Sequence, residues 1–406
     1  MLATMQLAYG FSYSAQNNLV TNFFDEVLGF SGPQFGYMTA IREVGGLTLI
    51  ILMALLYRVS IPWLTAGAMA VMGLAFGFYG VATSFVNIIP WVLIGSFGMH
   101  TLLQTQYSLG MSLTTQDRSG RVLGRMTAFY QAGTFVALVV VLFIFRFKLM
   151  SYGATFILIA IVAFLGAIAI FRFPNLQDGE VRQVQPRREP VVWRWDYRYY
   201  YLLNLLDGVR QQIFFSFGLW VLVSRFKLRV EDISVLLMTV TFVGIVSSSY
   251  VGKLIDRFGE RKVLQVINFG YVVALAGYAL ANQVYLVCFF YVLYSFITLF
   301  SGIGASTYLR KIAVPEEIAP SLAMGVTILH ATAVVVPVVA GVILNYVGYQ
   351  VPFFIACAAA LVMVGVTRRL DPVKQRSKAR VALDEARARA RAQEAVGLTG
   401  SSMGEK

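Results

Sequence analysis

The chain has 406 residues, of which 58% are apolar and only 13% are Asp, Glu, Lys or Arg, with 33 basic against 20 acidic side chains for a net charge of +13. That charged share is about half the usual one for a soluble chain, too little to cover a water-facing surface, and the basic residues sit in short segments between long apolar runs. A soluble cytoplasmic enzyme, a disordered chain and a nucleic-acid binder are excluded on these grounds, leaving an integral membrane protein.

With roughly 20 apolar residues needed per crossing, helices are predicted over 4–25, 34–57, 61–82, 87–113, 123–147 and 151–172. A second set follows over 199–223, 231–251, 262–281, 284–309, 319–345 and 349–368. No basic leader with a cleavage site precedes the first helix, so no cleavable signal peptide is expected. The connector from Pro174 to Arg198 is too charged to cross a bilayer and divides the spans into two sets of six. Four regions are therefore expected: an N-terminal six-helix bundle (1–173), a cytoplasmic linker (174–198), a C-terminal six-helix bundle (199–369) and a charged cytoplasmic tail (370–406). The tail, rich in Arg, Ala and Glu, has the composition of a charged helix on the membrane surface or in solvent. Cys288 and Cys357 lie in apolar runs without CxxC spacing and supply neither a disulfide framework nor a metal site.

Short cytoplasmic loops collect Lys and Arg. Arg118, Arg121 and Arg125, the linker arginines Arg182, Arg187, Arg188 and Arg194, then Arg257, Arg261 and Lys262, and finally Arg310 and Lys311 all fall on one side of a twelve-span chain. Both termini are then cytoplasmic, in a plasma membrane, the inner membrane if the source is bacterial. Arg225, Lys227 and Arg229 break the rule by lying outside, offset in part by Glu231 and Asp232, and Arg146 with Lys148 is a second exception.

After the predicted eighth span the chain reads Gly252-Lys253-Leu254-Ile255-Asp256-Arg257-Phe258-Gly259-Glu260-Arg261-Lys262. The glycines permit a tight turn, Asp256 is able to cap the incoming helix, and the basic residues suit anionic lipid or a helix C-terminus. Together with two six-helix sets, this loop resembles the G-x-L-x-D-R-x-G-R-K motif of the major facilitator superfamily of secondary transporters. The resemblance implies an all-α membrane fold of twelve transmembrane helices in two pseudo-symmetric six-helix bundles. It also implies that Gly252, Asp256, Arg257, Gly259, Arg261 and Lys262 act as gating residues. The corresponding first-half segment, Leu55 to Ser60, lacks the motif, and the fifth helix has Gly133 but not the Gly-Pro pattern of the family's antiporters.

A charge in the hydrocarbon costs at least about 2.5–3.5 kcal/mol, so polar groups at membrane depth face a cavity or a partner. Arg42 and Glu43 sit in the second span and, as sequence neighbours, point in different directions. Asp207 and Arg210 sit one turn apart in the seventh span, where i,i+3 spacing allows a local ion pair. They serve either as a coupling charge and an anchor for a substrate group or as a permanent buried pair. In the resembled fold the first, fourth, seventh and tenth spans line the central cavity, which adds Asn17, Asn18, Gln104, Asn204, Tyr291 and Tyr294. The two histidines, His100 and His330, are the groups that titrate near neutrality; each reads either as packing or as a proton relay.

The function expected is secondary transport of a small organic or amphiphilic solute by alternating access, with proton coupling through Asp207 or Glu43 as the leading reading and uniport through a neutral cavity as a variant within the same fold. No ATP-binding or metal motif is present in the sequence, so neither cofactor nor enzyme activity is expected. Membrane lipids are its other partners, nucleic acid is not, and the chain is expected to be monomeric. Two rival readings are a lipid or amphiphile flippase, and a non-transporting receptor or scaffold that uses its linker and tail.

Overall fold

The structure is a computed structural model that describes residues 1–56, 58–112, 119–173, 193–258, 260–299 and 303–401. Among these residues it is all helix: α1 (Leu2–Asn22), α2 (Gly32–Leu55), α3 (Ile61–Tyr79), α4 (Phe85–Met111), α5 (Ser119–Arg146), α6 (Tyr152–Phe171), α7 (Arg198–Ser224), α8 (Val230–Phe258), α9 (Glu260–Leu280), α10 (Val284–Thr298), α11 (Ile303–Ile312), α12 (Pro315–Val347), α13 (Gln350–Arg368) and α14 (Lys378–Ser401). Helix starts follow local chemistry. Ser31 and Gln34 form a capping box before α2, with Pro33 in its first turn, while Ser84 and Ser151 accept the Asn87 and Ala154 backbone N–H groups at the starts of α4 and α6.

Eight of the described helices are long and apolar enough to cross a membrane: α3, α4, α5, α6, α8, α9, α12 and α13. Twelve apolar spans were expected, and the shortfall is instructive. α1, α2 and α7 have the length, at 21, 24 and 27 residues, but carry Asn, Gln and charged side chains. The predicted tenth span is two helices: α10 is apolar but has 15 residues, and α11 resumes at Ile303. α12 starts four residues before the predicted span and accommodates both Pro320 and Pro337.

Within the first six helices, α1 packs on α5 and α6, α3 on α4 and α6, and α2 on α4. The later helices pair α7 with α12 and α13, and α9 with α10 and α13. The two sets meet chiefly through α2 against α12 and α5 against α8. Both seams within and between the sets use glycine to bring backbones together. A methyl group at Gly10 would strike the Tyr130 carbonyl oxygen across the α1–α5 seam, and one at Gly36 would strike the Pro337 carbonyl oxygen across the α2–α12 seam.

The loops after α1 and α7 join the two sets at one end. Asn18 Nδ2 donates to Ser234 Oγ at 2.6 Å, Asn22 Nδ2 donates to the Leu228 carbonyl at 2.9 Å, and Lys227 Nζ lies 3.8 Å from Asp25. Phe35 of α2 sits 6.1 Å, centroid to centroid, from both Phe217 and Trp220 of α7. Two of the basic residues that broke the charge rule have acidic partners here, since Lys227 meets Asp25 and Arg229 meets Glu231 at 2.6 Å. At the opposite end of α7, Arg194 and the Tyr197 hydroxyl both bond to Glu317 of α12, at 2.7 and 2.6 Å. Burial and that hydrogen bond push the Tyr197 phenol up to about 12, so it stays protonated as the donor.

Candidate functional site

Two polar clusters lie within the packed helices. The first is built on α7. Arg210 is wholly buried, and its Nη2 donates to the Asp207 carboxylate one helical turn away. Its Nη1 donates to the Tyr294 hydroxyl of α10 at 2.5 Å, and the guanidinium carbon lies 3.4 Å from the centre of the Tyr271 ring of α9. One carboxylate, one phenol and one aromatic face replace part of the guanidinium's lost hydration, while its buried Nε has no hydrogen-bond partner among the described residues. The Tyr294 ring is in turn stacked on Phe214 at 3.5 Å, and Tyr291 stacks on the same Phe214 at 5.0 Å. Arg210 is therefore enclosed in this arrangement. Asp207, by contrast, borders a cavity of about 190 Å³ that Asn204, Asn268, Tyr271 and Ser306 share with leucine, isoleucine and methionine side chains. The buried Asn268 Nδ2 on that wall has no hydrogen-bond partner among the described residues.

The second cluster lies in the seam between α2, α4 and α12. Glu43 has Arg42 Nε at 3.9 Å on its own helix and His330 Nδ1 of α12 at 3.7 Å. His100 of α4 stands with its ring 6.5 Å from that of His330, and its Nδ1 lies 2.9 Å from the Ser96 carbonyl oxygen, which makes Nδ1 the donor and leaves Nε2 to accept when the ring is neutral. The Ser96 hydroxyl donates to the Arg42 carbonyl. Gly46 makes room for both imidazoles: a side chain there would begin 2.8 Å from His100 Nε2 and 3.1 Å from His330 Cε1. Arg42 and Glu43 were expected to face different ways; α12 brings His330 to the carboxylate while Arg42 still reaches it.

The two clusters share α12. Two residues after His330, Thr332 packs so tightly against α7 that a methyl group at Gly208 would strike its hydroxyl. The remaining residues read from the sequence are more dispersed. Asn18 is buried in the α1–α8 contact with its Oδ1 unpartnered, Asn17 is half-buried, Gln104 is exposed on α4, and Asn204 Nδ2 donates to the Tyr200 carbonyl of its own helix. Gly259 lies outside the described residues, as do the side chains at Gly252, Asp256, Arg257 and Arg261; Lys262 is exposed at the start of α9. Tyr271 and Asn268 were not singled out from the sequence. Their signal was present as polar groups three residues apart, on one face of α9 within its largely apolar stretch from Val263 onward.

A model of the Major Facilitator Superfamily matches residues 200–398. No curated protein matches the chain by sequence. Among solved structures, the nucleoside transporter NupG aligns with a TM-score of 0.74 at 14% identity, covering 90% of this chain and 97% of that one. A bacterial homolog to the human lysosomal transporter Spinster, in an inward-facing and unoccupied conformation, aligns with a TM-score of 0.68 at 12% identity, covering 93% of this chain and 98% of that one. At such identities the likeness is one of fold.

Proposed function

We propose that this chain, which is similar in fold to secondary transporters and whose residues 200–398 match the Major Facilitator Superfamily model, belongs to that family and moves a small organic solute by proton-coupled alternating access. In this reading residues 1–173 and 199–369 are two six-helix bundles joined by a cytoplasmic linker over 174–198. α10 and α11 together make the tenth of twelve spans, the tail from 370 to 406 is cytoplasmic, and the protein resides in a plasma membrane. The aromatic contacts of Phe35 with Phe217 and Trp220, and the bonds of Asn18 and Asn22 to the α8 region, then close the outer side, so the conformation is open to the cytoplasm. Asn17, Gln104, Asn204, Tyr291 and Tyr294 are proposed to line or flank the solute path. Gly252, Asp256, Arg257, Gly259, Arg261 and Lys262 are proposed to re-form the inner latch in the opposite state.

The observation that carries proton coupling is the Glu43–His330 contact, because its two titratable partners stand on helices of opposite bundles. Any rocking of one bundle against the other changes the surroundings of both groups at once, which links their protonation to the state of the transporter. Asp207 and Arg210 are both on α7, so rocking alone does not separate them. Glu43 is thus proposed as the coupling carboxylate with His330 as its partner, and Asp207 as a group that orients Arg210 and presents an oxygen to the solute side. The solute class favoured by aromatic walls and amides is a polar ring compound, and nucleosides, the substrates named for the NupG structure, are a first set to try.

The test is uptake into proteoliposomes with a pH-sensing dye inside, under an imposed proton gradient, with nucleosides and a varied solute library. Wild type should show solute-dependent proton movement. Glu43→Gln should keep solute exchange without net proton flux, and Asp207→Asn should lower solute transport with coupling retained. Undiminished proton coupling in Glu43→Gln would overturn the assignment.

A further inference from the structure

Beyond the last span, the start of the tail is folded back onto the end of α11. The Ser377 backbone N–H donates to the Ile312 carbonyl at 2.9 Å, Arg380 Nη1 donates to the Ala313 carbonyl at 3.3 Å, and the Tyr308 hydroxyl donates to Gln375 Oε1 at 2.8 Å. These bonds satisfy carbonyls at a helix C-terminus and hold two basic segments side by side. Between them is a cavity of about 580 Å³ lined by Arg310, Lys311, Pro372, Val373, Arg376 and Arg380.

Four of its six lining residues are cationic. The nearby acids are Asp384, 3.2 Å from both Arg376 and Arg380, and Asp371, next to Pro372 with Lys374 at 3.9 Å, so the cationic side chains still outnumber the acidic ones around the space. Arginines arriving from two directions suit a tetrahedral phosphate, whose oxygens accept several N–H groups at once. The rim adds a second signal. Val373 is 68% exposed beside Pro372 at the mouth of the cup, at the ends of α11 and α13, where membrane-embedded helix gives way to polar chain. An apolar lip next to a basic cup matches a phosphate that carries an acyl-glycerol body, whereas a free phosphate has no use for the lip.

The geometry points to a binding site for the phosphate group of an anionic membrane phospholipid, formed jointly by the end of α11 and the tail and separate from the solute path. Occupancy neutralises the cup and pins α14 to the face from which α11 and α12 emerge. The tail is then a lipid-reading element fixed to the loop that joins these two helices.

Native mass spectrometry of the full-length protein, with phosphatidylglycerol or phosphatidylcholine titrated into the detergent, tests this. The variant Arg310→Gln with Arg376→Gln removes two cup cations and leaves the Ser377 and Arg380 anchors in place. A control, Arg387→Gln with Arg389→Gln, removes equal charge from an exposed part of α14. Wild type and control should retain phosphatidylglycerol over phosphatidylcholine, and the cup variant should lose about 25-fold in affinity, at roughly fivefold per arginine. Equal retention by the cup variant would overturn the site, as would equal loss in the control. Competition by inorganic phosphate as strong as that by phosphatidylglycerol would overturn the lipid as its source.

Discussion

The two ionic clusters differ in which helices supply their partners, and the difference matters if the two sets of helices move against each other as proposed above. Asp207 and Arg210 belong to one helix and are clamped by Tyr294 and Tyr271 from α10 and α9, all in the second set of helices. Glu43 and His330 belong to α2 and α12, which meet across the seam between sets. Under the proposed alternating access the first cluster stays intact and holds α7, α9 and α10 together. Under the same proposal the second changes whenever the seam does, and the Glu43 to His330 separation of 3.7 Å suits a pairing made and broken repeatedly.

The sharpest way to break the contrast is Asp207→Ala, which leaves the buried Arg210 without its counter-charge and should cost about 3–5 kcal/mol in stability; thermal unfolding in detergent checks it. The double variant Asp207→Leu with Arg210→Met should recover most of that loss, which marks the pair as a specificity device within the bundle. Tyr294→Phe removes a hydrogen bond to a charged group and should destabilise by about 1.5–3 kcal/mol, again without altering coupling.

Smaller effects are expected at the seam. Gly36→Val forces α2 away from Pro337 and should cost about 1–3 kcal/mol in the arrangement seen here. The readout is increased labelling of a cysteine placed near Phe35 by a membrane-impermeant reagent from the outside. The Asn18 to Ser234 bond should matter least: Asn18→Leu should change stability by about 0.6 kcal/mol, the average for interhelical hydrogen bonds in membranes. If instead Asn18→Leu proves more damaging than Asp207→Ala, the buried pair on α7 is not the larger contributor to stability.

Much of this was legible in residue order, and the parts that were not share a cause. The Asp207 to Arg210 pair could be read from i,i+3 spacing, since a single helix settles which neighbours meet. Tyr294, 84 residues from Arg210, was noted only as a polar aromatic in a span that resembles a cavity helix, and Tyr271 was passed over because tyrosine in an apolar helix reads as packing. His330 was singled out without its partner. The tenth span reads as continuous in the sequence because apolar content carries through 284–309.

By itself, the sequence determined that this is an all-helical membrane protein, where most of its helices run and which residues are too polar to face lipid. These follow from local composition, because burying backbone in hydrocarbon permits helices and demands apolar side chains. Only the tertiary structure decided that Glu43 answers to His330, that Arg210 is enclosed by two tyrosines, and that the tail closes a basic cup with α11. Those outcomes depend on which helices become neighbours and at what depth they cross, and distance along the chain carries no information about either.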